Sequence, residues 1–522
     1  MTRHLALGLA LAGIVGAAST ARAADAPSPY AYAIVVGSNH SPSSVLQDLK
    51  YGDDDAVQNA RTFALLGADT TLLVAPDAET RELFPNTKPQ AAATRVALRA
   101  AFDTAKAKLA EAHAAGRATN LYFLFAGHGD LADGRPFLQL DDSRLYREDL
   151  ADMLRGAGAD ENHVVVDACY AAAFVSDRGP GGERDRLPPG FSSGTNAVWP
   201  ARTGFLTARS SGGQTHEWAE YQSGVFSHEL RSGLMGAADV NVDGKVTYRE
   251  IAAFVKRANE AIPNRRYRPE LSTTPPDGDL DAALARLPAG PLVLEMDVQP
   301  AGRTFVESET GIRLVDLHAA PGTPIQLRLP TDLGVMFVEQ EGATAGACLR
   351  EFKVQPGAHA GHVRLSALAT ESTSHVSARG AGHEAFMHLF ADAFDPAAAT
   401  EFNLDEQTKA DLKWMKDSQD AAHARTVRQH IAIGTLSLGV VSGIAGGAFL
   451  LEANHLKGGA QAGIPSVNND IHRDNWIGGT LLGVAGAAAV TSAILYLWPT
   501  APAVAVTTTP DCTACLAYSK SF

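Results

Sequence analysis

The segment NHVVVDACYAAAF, residues 162–174, decides the fold and raises the question of function. Its apolar, β-branched run is typical of a strand that is buried on both faces of a parallel sheet. The run ends at Asp167, and Cys169 follows at once, before a stretch of small residues. Because ligands of such sheets bind beyond the carboxyl ends of the strands, the thiol lies where this fold would present its chemistry.

The surrounding chain alternates between strand and helix patterns. Three further apolar runs predict buried strands: YAIVVGSN, DTTLLVAP and YFLFAGHG. Segments of helical spacing lie between the strands: 53–66, 90–115 and 147–159. This alternation predicts an α/β fold whose mainly parallel sheet is flanked by helices. His128 also follows a predicted strand end, so we expect His128 and Cys169 to meet in space.

Cys169 and His128 form a candidate catalytic dyad. A thiol becomes a nucleophile when a base takes its proton, and His128 is the best candidate base. Gly127 and Gly129 permit close approach of a substrate, and the N–H groups of Gly129 and Cys169 are candidates for an oxyanion hole. The alternative is structural: a buried cysteine at a strand end and a histidine in a glycine turn.

The motifs YFLFAGHGD and VVVDACYAA, in this order, resemble the histidine and cysteine motifs of caspase-like cysteine peptidases, particularly the bacterial metacaspase-like branch. The resemblance covers residues 30–260 and includes LKYGDDDA, FLTARSSGGQTHEW and GVFSHELRSGLMGAADVNVDG. It implies hydrolysis of protein or peptide substrates, with Cys169 as the nucleophile and His128 as its partner. The chain departs from many relatives in having Tyr170-Ala171-Ala172 where they have His/Ser-Ser-Gly, which bears on substrate geometry.

The resemblance also implies a preference for Arg or Lys before the scissile bond, through an acidic pocket. Asp167 matches one pocket aspartate. Asp55 matches a second, but GDDDA has three adjacent aspartates, so the alignment does not fix which of them is the match. An acidic pocket suits a guanidinium or ammonium group. Three arginines in the Gly/Pro-rich loop after the cysteine are candidate self-cleavage sites, unless the loop is simply solvated: Arg178, Arg184 and Arg186.

A second motif, DVNVDGKVTYRE at 239–250, matches the EF-hand calcium loop D-x-[DN]-x-[DN]-G-x5-E. Its ligand positions supply carboxylate, amide, carbonyl and hydroxyl oxygens, from Asp239, Asn241, Asp243, Lys245, Thr247 and Glu250. We expect Ca2+ to bind here as a structural brace; the alternative is an Asp/Asn/Gly-rich turn between helices. The chain has no P-loop and no dinucleotide fingerprint, so no organic cofactor is predicted.

The two ends of the chain predict export and membrane attachment. Residues 1–23 have the charged, apolar and small-residue order of a signal peptide, with an uncleaved anchor helix as the alternative. The uncharged runs 431–451 and 476–498 are long enough to span a bilayer, with buried Gly/Ala-rich helices as the alternative. Cations before the first run favour a cytoplasmic N-terminal part, but an export signal acts first, so we expect a periplasmic or cell-envelope catalytic domain.

Composition and predicted secondary structure divide the chain into seven parts. They are a signal peptide (1–23), a caspase-like catalytic domain (27–274), a linker (275–290), a β-rich, sandwich-like domain (291–395), a helical segment (396–430), two transmembrane helices within 431–498, and a tail (499–522). Cys512 and Cys515 form a C-x-x-C in the tail, for which a local disulfide is the plain interpretation.

The formal net charge of −14 and the lack of a basic run argue against general nucleic-acid binding. The sequence therefore predicts a membrane-tethered cysteine endopeptidase that cuts after Arg or Lys. Two rivals remain open: a catalytically silent caspase-like scaffold, and an envelope adaptor that acts through its β-rich domain and membrane hairpin. An intact dyad favours the enzyme, whereas a lost pocket or a blocked cleft favours the scaffolds.

Overall fold

The computed structural model describes residues 28–41, 47–132, 135–175, 199–209, 216–264, 268–290, 292–297, 302–341, 348–359, 361–371, 386, 388–404, 406–459, 464–497, 503–509 and 512–519. The predicted signal peptide lies outside these residues, as do Arg178, Arg184 and Arg186 of the predicted self-cleavage loop.

A six-stranded sheet forms the centre of the part of the chain that precedes residue 290. Its strands are β1 (Tyr30–Ser38), β2 (Asp69–Leu73), β3 (Thr119–Gly127), β7 (Glu161–Asp167), β8 (Thr203–Arg209) and β12 (Glu270–Thr274). The spatial order is β12-β8-β7-β3-β1-β2, and every neighbouring pair is parallel except β12 with β8. The predicted α/β fold with a mainly parallel sheet is confirmed.

Helices cover both faces of this sheet. One face carries α1 (Gly52–Leu65), α6 (Val225–Ser232) and α7 (Tyr248–Asn259), and the other carries α3 (Arg95–Ala114), α4 (Arg147–Ala157) and α5 (Ala171–Val175), while the short α2 (Ala78–Leu83) follows β2. Residues of β1 alternate between the two faces, as Val35 packs into the first core and Ile34 into the second. Helix α3 begins later than predicted because Thr94 caps it by accepting the N–H of Ala97.

Three small antiparallel sheets accompany the central sheet. They consist of β4 (Gly129–Ala132), β5 (Arg135–Gln139) and β6 (Arg144–Tyr146); of β9 (Glu217–Trp218) with β10 (Ser223–Gly224); and of β11 (Lys245–Thr247) with β13 (Ala283–Arg286). The last pair corrects the predicted linker at 275–290. Leu284 and Leu287 are buried there, and the segment pairs with the loop at 239–250, so it is folded structure.

The β-rich part continues the first core without a break. One sheet has β14 (Leu292–Glu295), β17 (Gln326–Arg328) and β20 (Gly361–Arg364), and the other has β15 (Thr304–Ser308), β16 (Arg313–Leu317), β18 (Met336–Glu341), β19 (Cys348–Val354) and β21 (Thr370–Glu371). Val306 and Val338 belong to the same buried cluster as Phe226 of α6. At this junction His228 Nε2 lies 2.8 Å from Asp316 Oδ2, and neither side chain has any solvent exposure. The β-rich part therefore shares its core with the part that contains the six-stranded sheet.

Two long antiparallel helices follow the short α8 (Pro396–Glu401). Helix α9 (Glu406–Gly458) joins the predicted helical segment to the first predicted span, and α10 (Pro465–Leu497) begins before the second. Both contain stretches long and apolar enough to cross a membrane, and large apolar side chains such as Leu451 and Ile444 are about 70% exposed. Length, composition and exposure are consistent with a membrane hairpin.

Small residues bring α9 and α10 together. A Cβ on Gly446 would lie 2.9 Å from the carbonyl oxygen of Gly478, and one on Gly443 would lie 3.5 Å from the Cβ of Ala485. A Cβ on Gly447 would have no atom within 4 Å, so this glycine does not take part in the close packing of the two helices.

The tail forms a hairpin of β22 (Ala503–Thr509) and β23 (Cys512–Ser519). Cys512 and Cys515 both lie on β23. The pairing of Cys512 and Cys515 as a local disulfide stays a prediction.

Candidate active site

Adjacent strands bring the two predicted catalytic motifs together. Strands β3 and β7 are parallel neighbours, with Ala126 paired to Asp167, so His128 and Cys169 leave the same edge of the sheet. The backbones then touch, because a Cβ placed on Gly129 would overlap the carbonyl oxygen of Cys169 and lie 3.2 Å from the Cβ of Ala168. Only glycine fits at this contact.

A backbone carbonyl orients His128. Its Nε2 lies 3.1 Å from the carbonyl oxygen of Gln47. Since a carbonyl can only accept, Nε2 carries the proton, and Nδ1 keeps the lone pair that a general base requires. Partial burial lowers the pKa of His128 below its ordinary value, opposed by the bond to Gln47 and by the nearby Asp48. The imidazole is therefore neutral at pH 7.

Cys169 is half-buried. The next residue, Tyr170, has φ 58, a left-handed conformation that non-glycine residues rarely adopt. Such strain clusters at functional sites, and it occurs where this chain departs from the motif that it resembles.

The amide of Gly129 points away from its ladder partner. Gln139 N donates to His128 O at 2.9 Å, so His128 and Gln139 are the hydrogen-bonded pair of the antiparallel β4–β5 ladder. The next pair, Gly129 with Leu138, is then the non-bonded kind, and the N–H of Gly129 is directed away from β5.

The two predicted pocket acids converge on Gly224 from different elements. A Cβ on Gly224 would lie 2.7 Å from Asp167 Oδ2 and 3.0 Å from Asp55 Oδ2. Of the three aspartates in GDDDA, Asp55 therefore faces Asp167, whereas the carboxylates of Asp53 and Asp54 both accept the hydroxyl of Thr80. Asp55 is thus the aspartate of the three that lies beside Asp167.

Both acids are buried and hydrogen-bonded by α6 and the segment before it. Asp55 accepts bonds from Ser223 Oγ (2.5 Å), Gly224 N (2.8 Å) and Arg231 Nη1 (2.9 Å). Asp167 accepts bonds from Ser227 N (3.1 Å) and Ser227 Oγ (2.7 Å). The exposed fractions of Asp55 and Asp167 are 3% and 7%, so the pair is covered in this conformation.

The charges of the pair are coupled. Burial, and then the neighbouring Asp55 carboxylate, raise the pKa of Asp167 to about 7. Burial also raises the pKa of Asp55, while Arg231, Ser223 and Gly224 oppose that rise. Each carboxylate therefore disfavours ionisation of the other, while the Arg231 guanidinium favours the ionised form of Asp55.

The loop at 239–250 is folded around its own oxygen atoms. Asp239 accepts the N–H groups of Asp243 and Gly244, both at 3.1 Å, and Asn241 Oδ1 accepts the N–H of Asp243 at 2.8 Å. Asp243 accepts the N–H of Lys245 at 2.9 Å. This is a tight loop with its polar side chains turned inward.

Glu250 closes the same loop. It accepts the Thr247 hydroxyl (2.8 Å) and N–H (2.9 Å) in a capping box at the start of α7, and Asn241 Nδ2 at 3.1 Å. Within the described residues, no group of three His, Cys, Asp or Glu side chains is arranged to hold a metal ion. The donor chemistry fits Ca2+, but the carboxylates do not converge in this conformation.

Several residues of the site were not predicted from the sequence. They are Gln47, Glu217, Ser223, Gly224, Ser227 and Arg231. Ser227 and Arg231 share a face of the predicted helix at i, i+4 spacing, a signal that could have suggested a common partner. Gln47 contributes only its carbonyl, so its side chain carries no signal.

The comparisons with known proteins find likeness in structure alone. No protein-family model matches this chain, and no curated protein matches it. Three similar solved structures are caspase-1 from Spodoptera frugiperda (13% identity, 47% of this chain and 86% of that chain, TM-score 0.27), its pro-form (17%, 47% and 87%, 0.28), and the Drosophila initiator caspase Dronc (10%, 48% and 81%, 0.29).

Proposed function

We propose that this chain is a cysteine endopeptidase of the caspase-like class, with Cys169 as the nucleophile and His128 as the base. One observation carries the proposal: the two residues follow neighbouring parallel strands, and the backbone of Gly129 packs directly on the Cys169 carbonyl. A neutral histidine held by Gln47 and a half-buried thiol, which leave the same edge of the sheet, are the groups that such a reaction requires.

The reaction follows from these groups. His128 Nδ1 takes the thiol proton, and the sulfur of Cys169 attacks the carbonyl carbon of the scissile bond. The N–H groups of Gly129 and Cys169 stabilise the oxyanion. When the C–N bond breaks, His128 returns the proton to the leaving amine, and water then hydrolyses the thioester.

The acidic pair supports a preference for Arg or Lys before the scissile bond. Asp55 and Asp167 lie on either side of Gly224, and each accepts hydrogen bonds of the kind that a guanidinium donates. Because both acids are covered, a basic side chain reaches them only when covering residues move, and the Ser223–Gly224 segment, which hydrogen-bonds Asp55, is one of these. We expect substrate binding to displace that segment.

The covered pair also favours a second candidate, a silent scaffold that binds partners. Arg231 forms a buried ion pair with Asp55, so this acid has a structural role even without a substrate. A scaffold would keep the fold and this ion pair while lacking turnover.

Calcium binding at 239–250 completes the proposal. When bound, Ca2+ would be held by Asp239, Asn241, Asp243, Lys245, Thr247 and Glu250, and would supply a structural cross-link between α6 and α7. The two apolar helices support membrane attachment, and the predicted signal peptide supports a periplasmic or cell-envelope catalytic part.

The test uses the full-length chain purified in detergent with reductant and calcium. Fluorogenic peptides that end in Arg, Lys or Asp are assayed with the wild type, Cys169→Ala and His128→Ala. We expect cleavage after Arg or Lys that both substitutions abolish. Cleavage only after Asp would keep the peptidase and overturn the pocket, and a folded, inactive wild type would favour the scaffold.

A further inference from the structure

Glu217, a residue of β9 that the mechanism above does not use, clamps a neighbouring segment of backbone. Its carboxylate accepts the N–H of Tyr51 at 2.8 Å and the N–H of Lys50 at 3.2 Å. These donors lie at the start of α1, where N–H groups lack partners within the helix and favour an anion. The contact joins two elements 166 residues apart in sequence.

The clamped segment is the one that orients His128. Gln47, whose carbonyl binds His128 Nε2, lies three residues before Lys50 in the segment that leads into α1. Asp55 lies in the first turn of that helix. A shift of this segment would move the partner of the histidine and one acid of the pocket together.

The backbone of Glu217 is tied to the other side of the pocket. In the β9–β10 ladder it pairs with Gly224, the residue that lies between Asp55 and Asp167. Glu217 is itself partly exposed, so it is not required to fill the core. Its backbone therefore borders the pocket, and its side chain holds the segment behind His128.

We propose that Glu217 is a positioning residue that couples the pocket wall to the orientation of His128. The inference rests on the proposed peptidase function. It assigns to a carboxylate outside the dyad the task of holding Gln47, and through it the imidazole, in the reactive geometry. Misplacement of a catalytic group by about 1 Å can cost about 100-fold in rate, so loss of the clamp should be visible in turnover.

The test compares Glu217→Ala, Glu217→Gln and Glu79→Ala in the full-length chain in detergent. Glu79 is the matched control, because it is an exposed carboxylate that contacts the side chain of Lys50 at 3.7 Å and not its backbone. We expect Glu217→Ala to lower kcat about tenfold or more with little change in KM. Glu217→Gln, which keeps one acceptor oxygen, should recover part of this loss, and Glu79→Ala should match the wild type.

A second readout does not need a substrate. The rate at which iodoacetamide alkylates Cys169 is measured against pH, since it reports the thiolate that His128 sustains. Glu217→Ala should shift this profile to higher pH, while Glu79→Ala leaves it unchanged. Should Glu217→Ala fail to fold, an intermediate profile for Glu217→Gln supports the proposal.

Two results would overturn the proposal. The first is a kcat and an alkylation profile in the folded Glu217 variants that match the wild type. The second is a rise in KM for Arg substrates with kcat unchanged, which would make Glu217 a binding residue. If the wild type cleaves no peptide, the peptidase function fails, and the alkylation profile alone then decides the role of Glu217.

Discussion

The α-carbon of Gly129 lies against the carbonyl oxygen of Cys169, so closely that no larger residue fits between the two motifs. This contact joins the residue after the histidine to the candidate nucleophile. It makes the geometry of the dyad a property of backbone packing at the edge of the sheet, and not of side-chain contacts alone.

Gly129→Ala should therefore disrupt the site. The added methyl group overlaps backbone, which cannot swing away, so we expect loss of activity and destabilisation of about 1–3 kcal/mol. Gly156→Ala is the control, because that glycine lies in α4 with nothing within 4 Å, and alanine there should be neutral or stabilising by up to about 1 kcal/mol. Urea unfolding of both variants tests this, and equal free energies of unfolding would contradict it.

Asp167 should make stability depend on pH. Folding raises its pKa to about 7, so the folded state holds the proton more tightly than the unfolded state. Its contribution is then present at low pH and is lost as pH rises from about 4 to about 7, by up to about 4 kcal/mol. We expect the stability of Asp167→Asn relative to wild type to increase across this range. Thermal unfolding of both proteins is measured from pH 4.5 to 8. A difference in melting temperature between Asp167→Asn and the wild type that is the same at every pH would exclude the effect.

Asp316 should anchor the β-rich part to α6. Arg313 and Arg303 outweigh the effect of burial and lower the pKa of Asp316 to about 2, so it is ionised among buried cations. Asp316→Ala removes the fully buried anion that Arg303 and Arg313 share and should cost about 3–5 kcal/mol. Asp332→Ala, at an exposed ion pair with Arg61, should cost less than about 1 kcal/mol in the same denaturation assay. A similar cost for both variants would argue against a buried anchor.

A fragment that ends at residue 290 should not fold as the full chain does. Removing the β-rich part would remove β16 from α6 and open the core that Phe226 shares with Val306 and Val338. We expect such a fragment to show the exposed apolar surface and weak near-UV circular dichroism of a partly folded chain. A cooperative unfolding transition with native activity would show instead that the catalytic part is independent.

Calcium should stabilise the chain through Glu250. Glu250→Gln keeps an acceptor for the capping box at Thr247 but removes the charge that closes the loop, so only the calcium-dependent part of stability should fall. Melting temperatures are compared in calcium and in chelator for the wild type and for this variant. No calcium-induced shift in the wild type would mean that the segment is only a turn.

The local chemistry of the chain was largely predictable from the sequence. The apolar runs predicted β1, β3 and β7, because strands buried on both faces require uninterrupted apolar residues. The same pattern placed His128 and Cys169 at strand ends, and the length of the uncharged runs predicted α9 and α10. Such features depend on neighbouring residues, so they can be recognised in sequence.

Tertiary structure decided what depends on distant backbone. Only the fold selects Asp55 from three adjacent aspartates, brings Gln47 to His128 and Glu217 to Tyr51, and turns the predicted linker at 275–290 into a strand pair. Backbone carbonyl and N–H groups are the same in every residue, so their partners leave no mark on composition or spacing. The sequence thus determined which groups are reactive, and the packing of strands and loops decided which of them meet.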